Sequence, residues 1–282
     1  SKVVISADGV CDIGPGLQRE YNIRTLNWRI VLEGEEYVDG VSVHPQDLYD
    51  AWRQRKALHK SSAGSQLEYY EFFKEISGGS DIVHINLGSG LSSSYSNCCI
   101  AASELGNVYP VDSQNLSSGM GLLVLEAARM ARAGMGAKEI QQRLNDMRPK
   151  AHASFMLDTL EFMRAGGRCS SITALGANML RIKPCIEVDN QNGGNMHVGR
   201  KYRGDMQKAL QHYVKDKLAD ADDIDTRRLF ITHSGSPESD IQAVKEVVSQ
   251  YQSFDEIHVT QASSTISAHC GPRTLGILYM TK

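Results

Sequence analysis

Short apolar runs alternate with longer amphipathic segments along the whole chain, and that alternation is the signature of a layered α/β protein. Val3–Ser6, Thr25–Val31, Ile82–Leu87, Val108–Val111, Ala153–Met156, Cys185–Val188, Leu229–Thr232 and Glu256–Val259 read as strands. Helices fall between them. Pro45–Lys56 opens with proline at a first-turn position and spaces Leu48, Ala51 and Trp52 for one buried stripe. Gln66–Ile76 repeats the pattern with Leu67, Tyr70, Phe73 and Ile76. Met120–Ala133 is apolar almost all round, so it is expected between layers.

The chain has 282 residues, enough for two domains of ordinary size. The pattern changes character at Asn145–Ala151, where a charged helix end leads into a new strand. The expected division is therefore 1–149 and 150–282, each an α/β domain with a ligand cleft between them. The acidic stretch Asp220–Asp225 lacks the glycine and terminal glutamate of a calcium loop and reads as a solvated linker.

With 30 Lys+Arg against 33 Asp+Glu, the formal net charge of -3 offers no general attraction to nucleic acid or anionic lipid. No run approaches the ~18 apolar residues of a membrane span, and the first residues lack a signal-peptide layout, so a cytoplasmic protein is expected. Cys11, Cys98, Cys99, Cys169, Cys185 and Cys270 form no C-x-x-C pair. They read as free thiols, with no metal site implied.

The most unusual local sequence is Gly88-Ser89-Gly90-Leu91-Ser92-Ser93-Ser94-Tyr95, between a strand and a helix. Ligands collect beyond the carboxyl end of such a strand, where the next helix offers free N–H donors. Ser89, Ser92, Ser93 and Ser94 are all able to hold an anion there; equally, Ser92 can cap the helix with the others as loop residues. The loop is neither a Walker loop nor a dinucleotide fingerprint, which disfavours ATP and NAD as cofactors. Ser61-Ser62 forms a second hydroxyl pair in a loop before a helix, and His269 stands beside Cys270-Gly271-Pro272. Arg168 and Arg203 are basic candidates beside glycines.

Together these pieces resemble the DegV family of bacterial fatty-acid-binding proteins nearly end to end. The resemblance is carried by Ala7-Asp8-Gly9-Val10-Cys11-Asp12-Ile13, Glu35–Val41, Lys60-Ser61-Ser62, Ser89–Tyr95, Val111-Asp112-Ser113, Gly166-Gly167-Arg168, Ile182-Lys183-Pro184 and Ala268–Pro272. It implies a cleft that buries one long-chain fatty acid such as palmitate. It also implies that Ser61, Ser92 or its neighbours, and His269 converge on the carboxylate. Family members of this kind act as carrier subunits for a separate fatty-acid kinase, which converts the bound carboxyl to an acyl phosphate; contact with a membrane is then only transient, for lipid exchange. The chain departs from the family pattern at Gly9, Ser61, Ala63-Gly64, Gly88, Ser93 and Arg273.

Burying ~14 methylenes would contribute on the order of 11 kcal/mol before ordering costs. Leu122, Leu123, Met130, Phe155, Met156, Leu157, Leu160, Phe162, Met163, Leu175, Met179 and Leu180 are material for an apolar tunnel or for ordinary core. Neutral donors at the head group would leave the carboxylate nucleophilic, whereas an arginine clamp would quench it. Arg168 and Arg203 are therefore expected at the second shell or the entrance.

Two rival readings exist. A serine acyl-hydrolase would use a Ser89–Ser94 serine with His269 and Asp8 or Asp112, although no Gly-x-Ser-x-Gly elbow occurs. A thiol sensor would use Cys98-Cys99 or Cys270, although nothing in the sequence lowers their pKa.

Overall fold

The computed structural model describes residues 2–176 and 181–282. The first half of the chain carries β1 (Val4–Asp8), β2 (Arg24–Leu26), β3 (Arg29–Leu32), β4 (Glu35–Val38), β5 (His59–Ser62), β6 (Ile82–Asn86) and β7 (Val108–Asp112). With them run the helices α1 (Pro15–Glu20), α2 (Pro45–Arg55), α3 (Gln66–Ser77), α4 (Ser94–Leu105), α5 (Ser117–Arg132) and α6 (Ala137–Met147). The second half carries β8 (Ala151–Met156), β9 (Ile182–Asp189), β10 (Asn195–Arg203), β11 (Ile224–His233), β12 (Glu256–Gln261) and β13 (Leu275–Thr281). Its helices are α7 (Glu161–Gly166), α8 (Met206–Leu218), α9 (Glu238–Tyr251) and α10 (Ser264–Cys270).

The expected mixed α/β class is what the strands form. A parallel four-stranded sheet runs β2-β1-β6-β7, and a small antiparallel sheet runs β4-β3-β5. The second half forms a mixed six-stranded sheet, β10-β9-β8-β13-β11-β12, parallel only between β11 and β12. Every residue of β6 is buried, as expected of a central parallel strand covered on both faces.

α5 joins the two large sheets. Thirteen of its sixteen residues are buried, and it packs on β1 and β6 from one sheet and β8 and β13 from the other. The apolar pattern places it between layers, as expected, but it begins at Ser117, three residues earlier than the apolar stripe suggests. Its first turn is made of Ser117, Ser118 and Gly119, small residues without hydropathic signal.

The expected strand Thr25–Val31 is two strands in two sheets. After Leu26 the chain turns away at Asn27, whose Oδ1 accepts from Thr25 Oγ1 at 3.3 Å, while Leu26 O is taken by Gly9 N at 2.8 Å. Trp28 then points into the core, and its carbonyl receives Asp39 N at 2.9 Å. Apolar alternation runs through the break, so the pattern hides it. Ser61 and Ser62 likewise lie in a strand, β5, rather than in a loop; pairing with β3 (Ser61 with Ile30, Ser62 with Arg29) extends a segment that is too polar to read as one.

Candidate functional site

The site begins below the surface. Asp8, at the end of β1, is fully buried and its Oδ1 accepts from Tyr69 OH at 2.5 Å and from His84 Nε2 at 3.0 Å. Its Oδ2 accepts from Leu87 N at 2.9 Å. Ser6 Oγ stands 2.8 Å from His84 Nδ1, so the hydroxyl donates to that nitrogen while Nε2–H serves Asp8. Asp8, Tyr69, His84 and Ser6 are thereby paired with one another, and the carboxyl end of β6 is fixed where the serine loop starts.

Beyond Leu87 the loop is pressed against the β9–β10 turn. Gly90 N donates to Gly193 O at 2.9 Å, and a side chain at Gly88 would collide with that same carbonyl. Ser92 Oγ accepts from Ser94 N at 3.0 Å, a local turn just before α4; the N-cap is Ser93, whose side chain makes no capping bond, so Ser92 does not cap the helix as the sequence allowed. A hydroxyl oxygen with one lone pair engaged still has its hydrogen free for a ligand.

Opposite the loop stands α10. Asp39, from beyond β4, accepts at its amino end from Ser264 N and Thr265 N, both at 2.9 Å, and from Thr265 Oγ1 at 2.7 Å. A buried carboxylate at a helix start is well placed against the free N–H groups and the positive end of the dipole. This helix carries Ile266 and His269, three residues apart and so on one face. The His269 ring meets His59 edge-on, centroids 5.3 Å apart. Burial, with His59 and Arg168 nearby, lowers the His269 pKa to about 4, so the ring is neutral near pH 7.

Between loop and helix lies a cleft of about 340 Å³, lined by Ser61, Ser62, Ser92, Ser93, Thr265, Arg168 and His269 together with Trp28, Ala63, Leu87, Leu91, Leu116, Met196 and Ile266. Leu116, Met196 and Ile266 also line a separate, mainly apolar cavity of about 50 Å³, whose wall includes Phe155, Met163, Cys270 and Leu278. On the other side Ser61, Arg168 and His269 are shared with an outer pocket of about 320 Å³ reaching Trp52, His59, Lys60 and Phe162. No acidic side chain lines the cleft or the outer pocket. The arrangement can hold an anionic head among hydroxyl and imidazole donors, with the Arg168 guanidinium also on the wall, beside an apolar cavity.

The structure thus brings together Ser61, Ser62, Ser92, Ser93, His269 and Arg168. It leaves out three expected residues. Ser89 is exposed, its N–H donating to Asp112 Oδ1 at 3.1 Å. Ser94 is buried behind the cleft wall in the first turn of α4. Arg203, at the end of edge strand β10, is exposed and borders neither the cleft nor its two neighbouring pockets. Of the tunnel candidates, Phe155 and Met163 line the inner cavity and Phe162 the outer pocket, while Leu122, Leu123, Met130, Leu157 and Leu175 belong to the large core and Met156 to the second. Leu160 is half-buried against the large core; Met179 and Leu180 lie outside the described residues. Trp28, Thr265, Met196 and Ile266 were not singled out by sequence; the only signal was Trp28, one of two tryptophans, at the break in strand pattern.

The hydrolase residues do not assemble. Asp8 is spent on His84, Tyr69 and Leu87 N, Asp112 Oδ1 accepts from Ser89 N and Gln114 N, and His269 Nδ1 has no hydrogen-bond partner among the described residues. Nor do the thiols suit a sensor: burial raises Cys98 and Cys99, and pushes Cys270 up to about 12.

Fold and cleft define a class of α/β protein with two large sheets and a polar cleft beyond the carboxyl ends of the parallel one, beside an apolar cavity. Comparison with known proteins makes the class specific: the chain belongs to the DegV family, described as "Uncharacterised protein, DegV family", whose sequence profile matches residues 2–282. A DegV domain-containing protein of Deinococcus radiodurans is 28% identical, covering 98% of this chain and 97% of that one. The YteA protein of Lactococcus lactis, also DegV domain-containing, is 27% identical over 99% and 97%.

Solved structures share the fold. A DegV family protein from Thermus thermophilus, described by its fatty acid binding, superposes with a TM-score of 0.85 at 22% identity over the full length of both chains. One from Eubacterium eligens, loaded with heptadecanoic acid, gives a TM-score of 0.83 at 20% identity over 99% of this chain and 100% of that one. Among the described residues no helix is long and apolar enough to cross a membrane.

Proposed function

We propose that this protein binds one long-chain fatty acid, with its carboxylate in the serine-histidine cleft and its tail in the apolar cavity, and presents the carboxyl to a separate kinase. The observation that carries this reading is that the polar cleft and the apolar cavity lie side by side, with Leu116, Met196 and Ile266 lining both. A head group and a tail attached to one molecule need that adjacency, and a site for a small polar ligand does not. The fatty-acid ligands of the structural neighbours support the same reading.

Ser61, Ser92 and His269 are the principal carboxylate donors, with Ser62 and Ser93 at the rim. Neutral donors offset the several kcal/mol that desolvating a carboxylate costs without pairing away its charge. Arg168 stands at the boundary with the outer pocket, on the side from which a phosphoryl donor would approach. The carrier itself performs no chemistry and uses no cofactor; the partner kinase forms the acyl phosphate, in the cytoplasm, with only transient membrane contact for lipid exchange. Two domains, 1–149 and 150–282, fit a cleft of this kind: the four-stranded sheet lies wholly before the boundary and the six-stranded sheet wholly after it.

Calorimetric titration with palmitate and with its methyl ester tests the binding reading. Saturable one-to-one binding of palmitate, with a much weaker ester, is expected; no saturable binding of either would overturn it. For the transfer step, protein, palmitate and ATP should yield hydroxylamine-trappable acyl phosphate only when a fatty-acid kinase subunit is added, and product without that subunit would contradict the carrier role.

A further inference from the structure

Carboxylate binding leaves the Gly166-Gly167-Arg168 turn without a task, yet this turn touches both walls of the cleft. Gly166 ends α7, and a Cβ placed on it would stand 2.5 Å from His269 Nδ1. Its φ is not in the left-handed region, so its own backbone does not require glycine; the neighbouring ring does. Gly167, at φ 66, then turns the chain. Arg168 follows, with Nε donating to Leu91 O at 3.1 Å and Nη1 to Gly166 O at 3.5 Å. Leu91 belongs to the serine loop. One short turn therefore seats the imidazole and fastens it to the loop that faces it.

His269 Nδ1 is buried and has no hydrogen-bond partner among the described residues. A proton there would be an orphaned buried donor against a bare Cα, a rarer and costlier state than an idle acceptor lone pair. Which nitrogen of a neutral imidazole carries the proton is set by what the other one meets.

We infer that Gly166 is a positioning residue for His269: its bare Cα packs on Nδ1, which keeps that nitrogen unprotonated and turns Nε2–H toward the cleft as a donor. The role of that donor toward a carboxylate rests on the carrier reading; the seating of the ring does not.

Two measurements test this. Long-range ¹H–¹⁵N correlation of the unliganded protein should show His269 as the Nε2–H tautomer, and a protonated Nδ1 would overturn the proposal. Gly166→Ala should lower palmitate affinity at least about tenfold, since the ring must shift to admit the methyl group. In a His269→Ala background the same change should alter affinity less than about twofold, because no ring remains to be displaced. Equal losses in both backgrounds, or none in the first, would overturn the proposal. If the unaltered protein bound no palmitate, the carrier reading would fall, and the ring signals would still decide the positioning. The same holds if the G166A protein did not fold, because the tautomer is read from the unaltered chain.

Discussion

Arg273 occupies a left-handed backbone position, φ 58, of the kind glycine adopts without strain, and it is held there by Nε and Nη2 donating to buried Asp240 at 2.8 and 3.1 Å. The ion pair offsets the strain of a side chain at positive φ. At Gly88 the constraint is the neighbouring backbone: a side chain there would displace the β9–β10 turn that braces the serine loop. At the cleft itself, Ser92→Ala combined with His269→Ala removes a hydroxyl and an imidazole from the head-group wall while leaving the core intact. Palmitate affinity should fall by about 10²-fold, at ~1–1.5 kcal/mol per lost donor, and the urea midpoint should fall as well, because the Ser94 N bond and a buried ring are lost, with the protein still folded in buffer. Unchanged affinity would remove both residues from the head-group site. The serines were visible in sequence because four of them crowd one strand-to-helix loop. Which of them face the cleft was not, because that depends on the turn at Ser93 and on how α4 is capped, and Ser89 and Ser94 are chemically equivalent to their neighbours.

In the proposed carrier, α10 would set where the head and tail of the ligand meet. Its face carries His269 toward the cleft and Ile266 at the junction with the apolar cavity, and Asp39 holds its amino end. Asp39→Ala would leave two buried N–H groups unpaired, so a loss of about 1–3 kcal/mol in unfolding free energy is expected, with weaker palmitate binding. A normal chemical-denaturation curve and normal affinity would argue against this anchoring. Ile266→Trp should fill the junction and abolish binding of palmitate while sparing short carboxylates such as butyrate; palmitate binding at full strength would place the tail elsewhere. Elements with clear periodicity, such as α2, α3 and β6, were legible from sequence. β5, β10 and β13 were not: β5 is a polar edge strand, β10 is polar along much of its length, and β13 contains Gly276, packed against Ser154 O and Phe155. Their strand character comes from pairing partners far along the chain.

Across the molecule, α5 and a few buried polar contacts hold the halves together. Ser118 Oγ bonds Asp12 O at 2.9 Å and Thr232 Oγ1 at 2.6 Å, and Thr232 lies 3.0 Å from Thr260. Asp12 accepts from Ser117 Oγ at 2.6 Å and from Ser263 N at 3.0 Å, yet burial outweighs these bonds and raises its pKa to about 7. The folded state therefore binds a proton more tightly than the unfolded chain. The associated stability is complete below the unfolded pKa near 3.8 and is lost as pH rises through about 7. Asp12→Asn should remove a slope on the order of 1 kcal/mol per pH unit across that window, read by urea denaturation at pH 5 and pH 8. Identical pH dependence in both proteins would show that Asp12 is not the titrating group. Apart from Thr232–Thr260, these contacts join residues more than a hundred positions apart, which is why apolar periodicity revealed two layered halves and not how they lock. The central claim, a single acyl chain carried between them, is met most directly by native mass spectrometry of the purified protein beside an organic extract of it. A one-to-one mass excess of fatty-acid size, or its appearance on adding palmitate, is the predicted result; a bare protein mass that stays unchanged with both palmitate and oleate would contradict it.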